Sequence, residues 1–249
     1  MSLRTTPVKD PDDVRAFFDR LAPAYRDCHG KAEELLRYRL RIIARLLDGA
    51  GHGLLVEIGC GTGMHLFPLA GRFDRVHGTD LSPGMIEQAE FLRLRHPHAE
   101  RIRLSVASAE ALSPVGDAQA NVVLCVGALE HMLDQRRALR EAWRILKPRG
   151  IFVCLTPNAD HVWYANLAPR LGLSTRHLST DRFLGKEKLA ELLGSAGFEV
   201  ELIGSWTFIP RGDMPPYLAR LLTLLDSVGR LFRIPSFRGG LYCRALRRG

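Results

Sequence analysis

At 249 residues the chain is long enough to bury one sizeable core and short for two full domains. Its 46% hydrophobic content is that of a globular protein, and with neither a signal pattern nor an apolar run near the roughly 20 residues of a membrane span, a cytoplasmic location is expected. The formal charge of +8 admits nucleic acid or an anionic membrane surface as partner. The five cysteines, odd in number and without metal-ligand spacing, read as reduced thiols with no metal site.

Val14, Phe17, Phe18 and Leu21 have helical spacing, and Pro23 ends that helix. Ala32, Leu35, Leu36, Leu40, Ile43 and Leu47 mark a second helix, stopped by Gly49 and Gly51. The apolar strand Leu54–Ile58 then breaks into Gly59-Cys60-Gly61-Thr62-Gly63. Glycines at this spacing let a backbone turn sharply and approach a ligand with no Cβ in the way. A dinucleotide loop reads G-x-G-x-x-G, and here that register fails, with Met64 or Leu66 where the third glycine would stand. Glu57 on the strand would repel a pyrophosphate and favour a ligand carrying positive charge. S-adenosylmethionine, with an ammonium, a sulfonium and no phosphate, meets that demand. The next strand, Arg75 to Asp80, ends in an acid able to accept two hydrogen bonds from ribose hydroxyls. Ser82 then caps a helix that begins with Pro83.

The run Val56 to Gly63 together with Asp80 resembles the first two motifs of the class I S-adenosylmethionine-dependent methyltransferases. Arg103 to Leu112 resembles their third-strand segment, with Ser108 where the family often has aspartate beside Ala109 and Glu110. Asn121 to His131 resembles the fourth strand and its loop, and Leu146 to Asn158 the turn and fifth strand. The resemblance implies a doubly wound α/β fold, with a mostly parallel seven-stranded sheet, an antiparallel last strand and helices on both faces. It implies S-adenosylmethionine as cofactor and S-adenosylhomocysteine as product. The implied cofactor pocket comprises Glu57, Gly59, Cys60, Gly61, Gly63, Asp80, Leu81, Met85, Ser108, Ala109, Glu110 and Val126. Phe18 to Tyr25 resembles the F-D-x-x-A-x-x-Y segment of quinone and related small-molecule methyltransferases, which makes Tyr25 a cofactor lid or a core residue. Short-chain dehydrogenases would also want Tyr-x-x-x-Lys, and no tyrosine here has a lysine four places on.

A single domain is expected, with a helical lid over 1–50, a cofactor core over 54–158, and insertions at 158–182 and 210–239 forming a cap over the acceptor. Leu184 to Ala196 reads as a helix, Phe198 to Leu202 and Leu241 to Leu246 as strands. His131, just past the fourth strand, is the candidate general base, a cofactor-pocket role being the alternative; His161 and His177 are weaker candidates. The Asp/Asn-Pro-Pro-Tyr of base-modifying enzymes is absent after the fourth strand, where Gly127-Ala128-Leu129-Glu130 stands. Met214-Pro215-Pro216-Tyr217 occurs in the wrong loop without the leading amide or acid. The Pro-Cys nucleophile of cytosine-C5 enzymes is missing too. The expected acceptor is therefore a small, hydrophobic or lipid-like molecule, with oxygen favoured as nucleophile. Leucines and arginines in 210–239 fit a helix that caps an apolar pocket or touches an anionic membrane. A cofactor-binding protein without turnover and an RNA-modifying enzyme are the competing readings, and the oligomeric state is left open.

Overall fold

The computed structural model describes residues 5–25, 32–172, 176–208, 216–232 and 234–249. Helix α1 (Pro11–Leu21) is capped by Asp10, whose side chain accepts from the amides of Asp12 and Asp13, and Pro11 sits at the first position, where no amide is needed. Helix α2 is Ala32–Leu46. Strands and helices then alternate, apart from one pair of successive strands: β1 (Leu54–Ile58), the short α3 (Leu66–Leu69), β2 (Arg75–Asp80), α4 (Pro83–Arg93), β3 (Ile102–Val106) followed with no helix between by β4 (Ala120–Val126), α5 (Gln135–Ile145) and β5 (Leu146–Pro157). A π-helical turn, Trp163–Leu167, runs into α6 (Ala168–Arg170), and α7 (Lys186–Ser195), β6 (Phe198–Trp206), α8 (Pro216–Leu231) and β7 (Gly240–Arg247) complete the chain.

The strands form one seven-stranded sheet in the order β3-β2-β1-β4-β5-β7-β6. β7 runs antiparallel to both β5 and β6, and the remaining pairs are parallel. This is the doubly wound architecture expected from the sequence. Side chains alternate across the pleat: Val56, Val123 and Cys125 face a core shared with α5 and α7, whereas Leu55, Val122 and Leu124 face one shared with α2 and α3. Both faces of the central strands are thus covered, which is why they read as largely apolar runs, interrupted in β1 by Glu57.

β5 begins earlier than the sequence suggests. Leu146 already pairs with Ala120, and the register shifts before Ile151 pairs with Val122, so Lys147 to Gly150 bulge out of the strand, with Arg149 at φ +60°. The arginines of α5 sit as a solvated face: Arg136 is exposed, and Arg144 pairs with Glu141 and Asp117. Cys60, Cys125, Cys154 and Cys243 are free and buried. The fifth cysteine, Cys28, and Met214-Pro215 lie outside the described residues. The two insertions pack on each other, with Leu222 of α8 buried against Trp163 and Ala168. Asn158 ties them further, its amide donating to the carbonyls of Pro235 and Arg238.

Candidate active site

Strand order reverses between β1 and β4, so the loops leaving their carboxyl ends part to form a crevice, the place where open α/β sheets bind ligands. The crevice encloses about 750 Å3, part of it open to solvent. Gly59 and Gly61 line it with φ of +67° and +52°. A Cβ on Gly59 would lie 2.4 Å from that of Ala128, and one on Gly61 would meet the Tyr25 ring at 3.4 Å. The turn therefore brings bare backbone against the β4 loop and under Tyr25. Gly63 serves a different need: at φ +80° its missing Cβ makes room for the Phe67 ring, 2.6 Å away. Gly63, Cys60 and Val126 stand behind the cleft wall, the last two in the core.

Asp80 closes β2 and faces the cleft. Its Oδ2 accepts from the Gly61 amide at 2.8 Å and its Oδ1 from the Ser82 amide at 2.9 Å. Each oxygen keeps a lone pair, and the two amides fix the orientation of the carboxylate at the cleft. Burial pushes the Asp80 pKa up against the pull of these amides. Leu81, Met85, Ser108, Ala109 and Glu110 line the same cleft. Ser108 Oγ accepts from the Glu110 amide at 3.1 Å, so the serine at this position supports its own loop. Ser82 caps α4 as expected, accepting from the Met85 amide at 3.0 Å.

Glu57 is fully buried behind the glycine loop. His65 Nδ1 is 3.4 Å from Oε1, and neither carboxylate oxygen makes a well-formed hydrogen bond. Burial, and then the charge of Asp80, raise its pKa well above the usual carboxylate value. A buried acid held only by loose contacts, and set beside a second acid, fits a cationic ligand and opposes a phosphate. The donor set thus fits S-adenosylmethionine. A positive ligand in this cleft favours the ionised form of Glu57, so binding should release protons. Calorimetric titrations in phosphate and in Tris will differ in apparent enthalpy by the protons released, and Glu57→Gln should reduce that difference; equal enthalpies in wild type would refute the linkage.

His131 follows β4 and lines the cleft. Its Nδ1 lies 2.7 Å from Oδ1 of Asp181, which is fully buried. Burial is the largest single influence on each and works against both charges, but their hydrogen bond and the neighbouring charges together outweigh it. The His131 pKa is raised, with help from Glu130 and Asp80, and that of Asp181 is lowered, with help from the amides of His177 and Leu178. The His177 ring lies 6.3 Å from that of His131. His161 is fully buried, neither ring nitrogen has a well-formed partner, and burial pushes its pKa down to about 4. Of the three histidines, only His131 combines a place on the cleft wall with an oriented ring.

The first helix covers this crevice. Pro11, Val14 and Phe18 line it, and the Phe18 ring lies 5.3 Å from that of His131. Asp19 Oδ1 holds α1 in place by accepting from Ser82 Oγ at 2.5 Å and the Gly84 amide at 2.9 Å. Thr6 exchanges backbone hydrogen bonds with His177 and Ser179, which joins the chain's beginning to the segment bearing Asp181. Tyr25 lines the cleft, and burial pushes its phenol up to about 12.

A methyltransferase domain model matches residues 56–154. The ubiquinone biosynthesis O-methyltransferase of Ruegeria pomeroyi is 32% identical over 214 residues, covering 76% of this chain and 83% of that relative. The chain belongs to the class I S-adenosylmethionine-dependent methyltransferases. The malonyl-[acyl-carrier protein] O-methyltransferase of Hahella chejuensis is 34% identical over 149 residues, which is 59% of this methyltransferase and 51% of the relative. The [4+2]-cyclase SpnF superposes with a TM-score of 0.72 over 99% of this methyltransferase and 98% of its own chain, at 19% identity, a likeness of fold alone. This methyltransferase is thus an enzyme with S-adenosylmethionine as cofactor.

Proposed function

We propose that this methyltransferase methylates an oxygen of a small, hydrophobic acceptor, with His131 as general base held by Asp181. The observation that carries this reading is the 2.7 Å contact between His131 Nδ1 and Asp181 at a wall of the cleft. With Nδ1 donating to the carboxylate, Nε2 is the nitrogen left to take a proton. When bound, S-adenosylmethionine supplies an activated methyl group for in-line displacement. The chain's own work is alignment and proton removal. The glycine loop, Asp80 and the segment Ser108 to Glu110 hold the nucleoside, with Leu81 and Met85 packed beside it. Glu57, Cys60, Gly63 and Val126 support that wall from behind. Positioning of this kind supplies much of a bimolecular rate enhancement. His131 takes the hydroxyl proton as the oxygen attacks.

An apolar acceptor is supported by Pro11, Val14, Phe18, Met132 and Leu133 on the cleft wall, and oxygen by the names of the Ruegeria and Hahella relatives. In this reading residues 1–50 are the lid, 54–158 the cofactor core, and the segments 158–182 and 210–239 the cap of one domain. On α8, Leu221, Leu224 and Leu231 are exposed, as are Arg220 and Arg230, which supports peripheral contact with an anionic lipid surface. No helix among the described residues is long and apolar enough to cross a membrane. A panel of catechols, phenols and anilines, with and without alkyl tails, incubated with methyl-labelled cofactor in buffer and with anionic vesicles, tests both parts. The expected result is labelled methyl ether, with tailed acceptors preferred and vesicles raising their turnover. Label on nitrogen acceptors but on no phenol would overturn the oxygen assignment, and indifference to vesicles would remove the membrane contact.

A further inference from the structure

Helix α2 buries a stripe made of Leu35, Ile42, Ile43 and Leu46. Arg39 lies on that stripe, four residues after Leu35 and three before Ile42, where an apolar side chain would be expected. Its guanidinium stacks 5.4 Å from the Trp206 ring centroid and 5.8 Å from that of Phe208. Nε is buried without a hydrogen-bond partner, and among the described residues no carboxylate forms an ion pair with this side chain. A guanidinium whose Nε is removed from water and left without a partner carries a cost, and stacking on two rings recovers only part of it. Arg144 and Arg238 are spent differently: both pair with carboxylates.

Among the described residues, Tyr25 and Glu130 lie within electrostatic reach of Arg39. Both belong to the active-site side of the sheet. Tyr25 lines the cofactor cleft, and Glu130 adjoins His131 in the loop after β4. Burial keeps the Tyr25 phenol protonated and raises the Glu130 carboxyl, whose Oε2 already accepts from Thr156 Oγ1 at 3.1 Å. Trp206 is the last residue of β6, which runs parallel to β5, so the stack stands at the same carboxyl end of the sheet as the glycine loop.

We propose that Arg39 is the anion-recognition residue of the acceptor site, taking a carboxylate or phosphate of the methyl acceptor against Tyr25. This deepens the reading of a small O-methylated acceptor and rests on it. A planar guanidinium held by aromatic faces is preorganised for bidentate recognition of either group. The acceptor would then be amphiphilic, with an anionic group at Arg39, its nucleophilic oxygen near His131, and its apolar part along the lid.

The test reads binding, not turnover, so it stands apart from the choice of nucleophile. Protein saturated with S-adenosylhomocysteine is titrated with benzoate, phenyl phosphate and neutral benzamide, following tryptophan fluorescence, with Trp206→Phe identifying the signal of the stack. At least one anion should bind tenfold or more tightly than benzamide, and which one identifies the group. In Arg39→Leu that preference should vanish while S-adenosylhomocysteine affinity stays unchanged. If Arg39→Leu fails to bind S-adenosylhomocysteine and so has lost its fold, Arg39→Gln carries the same comparison. Equal binding of anions and benzamide in wild type, no binding of any probe, or a preference that survives loss of the guanidinium would overturn the proposal. Failure of the oxygen reading is seen separately, in the absence of methyl ether from the phenol panel.

Discussion

Replacing His131 with glutamine should lower kcat by about 10²–10⁴-fold, the usual contribution of a positioned general base, while leaving S-adenosylhomocysteine affinity within a few-fold of wild type. Glutamine keeps a polar side chain but cannot accept the acceptor's proton. Asp181→Asn is the more informative companion. Because the carboxylate helps to raise the His131 pKa, wild-type kcat should fall on the acid side with a midpoint above the ordinary histidine value of about 6.5. Losing that charge should move the midpoint to lower pH. The asparagine variant would therefore lose activity at its plateau, from poorer orientation, yet retain a larger share of it under acid conditions. A purely structural role for Asp181 would lower activity uniformly and leave the midpoint where it was. A pH-rate profile on any phenol methylated in the panel separates the two, and a His131→Gln enzyme within threefold of wild type would remove the base from the mechanism.

The cofactor half of the site was legible in the sequence because its requirements are local. Glycines with positive φ, an acid at a strand tip and a serine-proline cap each satisfy their neighbours within a few residues, and the order of strands follows from alternation of β and α. Gly59, Gly61, Asp80 and Ser82 consequently fall where their spacing put them. The acceptor half depends on contacts between distant segments. Asp181 reaches His131 across 50 positions, and nothing around Ser179-Thr180-Asp181 distinguishes it from an ordinary turn. Asp19 had a signal, its place in the F-D-x-x-A-x-x-Y segment, but its task of bracing Ser82 and Gly84 needs the docked helix to be understood. Arg39 breaks the periodicity of α2, an exception visible in the sequence whose meaning appears only once Trp206 and Phe208 are beneath it. The boundary of β5 was missed for another reason: a bulge at Lys147 to Gly150 lets the strand pair on both sides of residues that read as a turn.

Asp80→Asn should weaken S-adenosylhomocysteine binding by about 10²-fold or more. Two hydrogen bonds from ribose hydroxyls to a charged acceptor contribute about 1.5–3 kcal/mol each, and every 1.4 kcal/mol is tenfold in affinity. The difficulty is that the same carboxylate also receives the Gly61 and Ser82 amides, so the variant could lose affinity through a disturbed loop alone. A second ligand resolves this. Wild type should bind S-adenosylhomocysteine much more tightly than its 2′-deoxyribose analogue, because the analogue lacks one of the two donors. If Asp80 reads the ribose, the asparagine variant should discriminate between the two far less. If the residue only braces the glycine loop, both ligands should weaken together and the ratio should survive. The pH dependence has a definite sign as well. Burial raises the Asp80 pKa in the free protein, and the protonated acid is the poorer acceptor, so wild-type affinity should fall as pH drops through that raised value. In Asp80→Asn the same acid limb should be smaller, leaving only the part contributed by Glu57, whose pKa burial also raises.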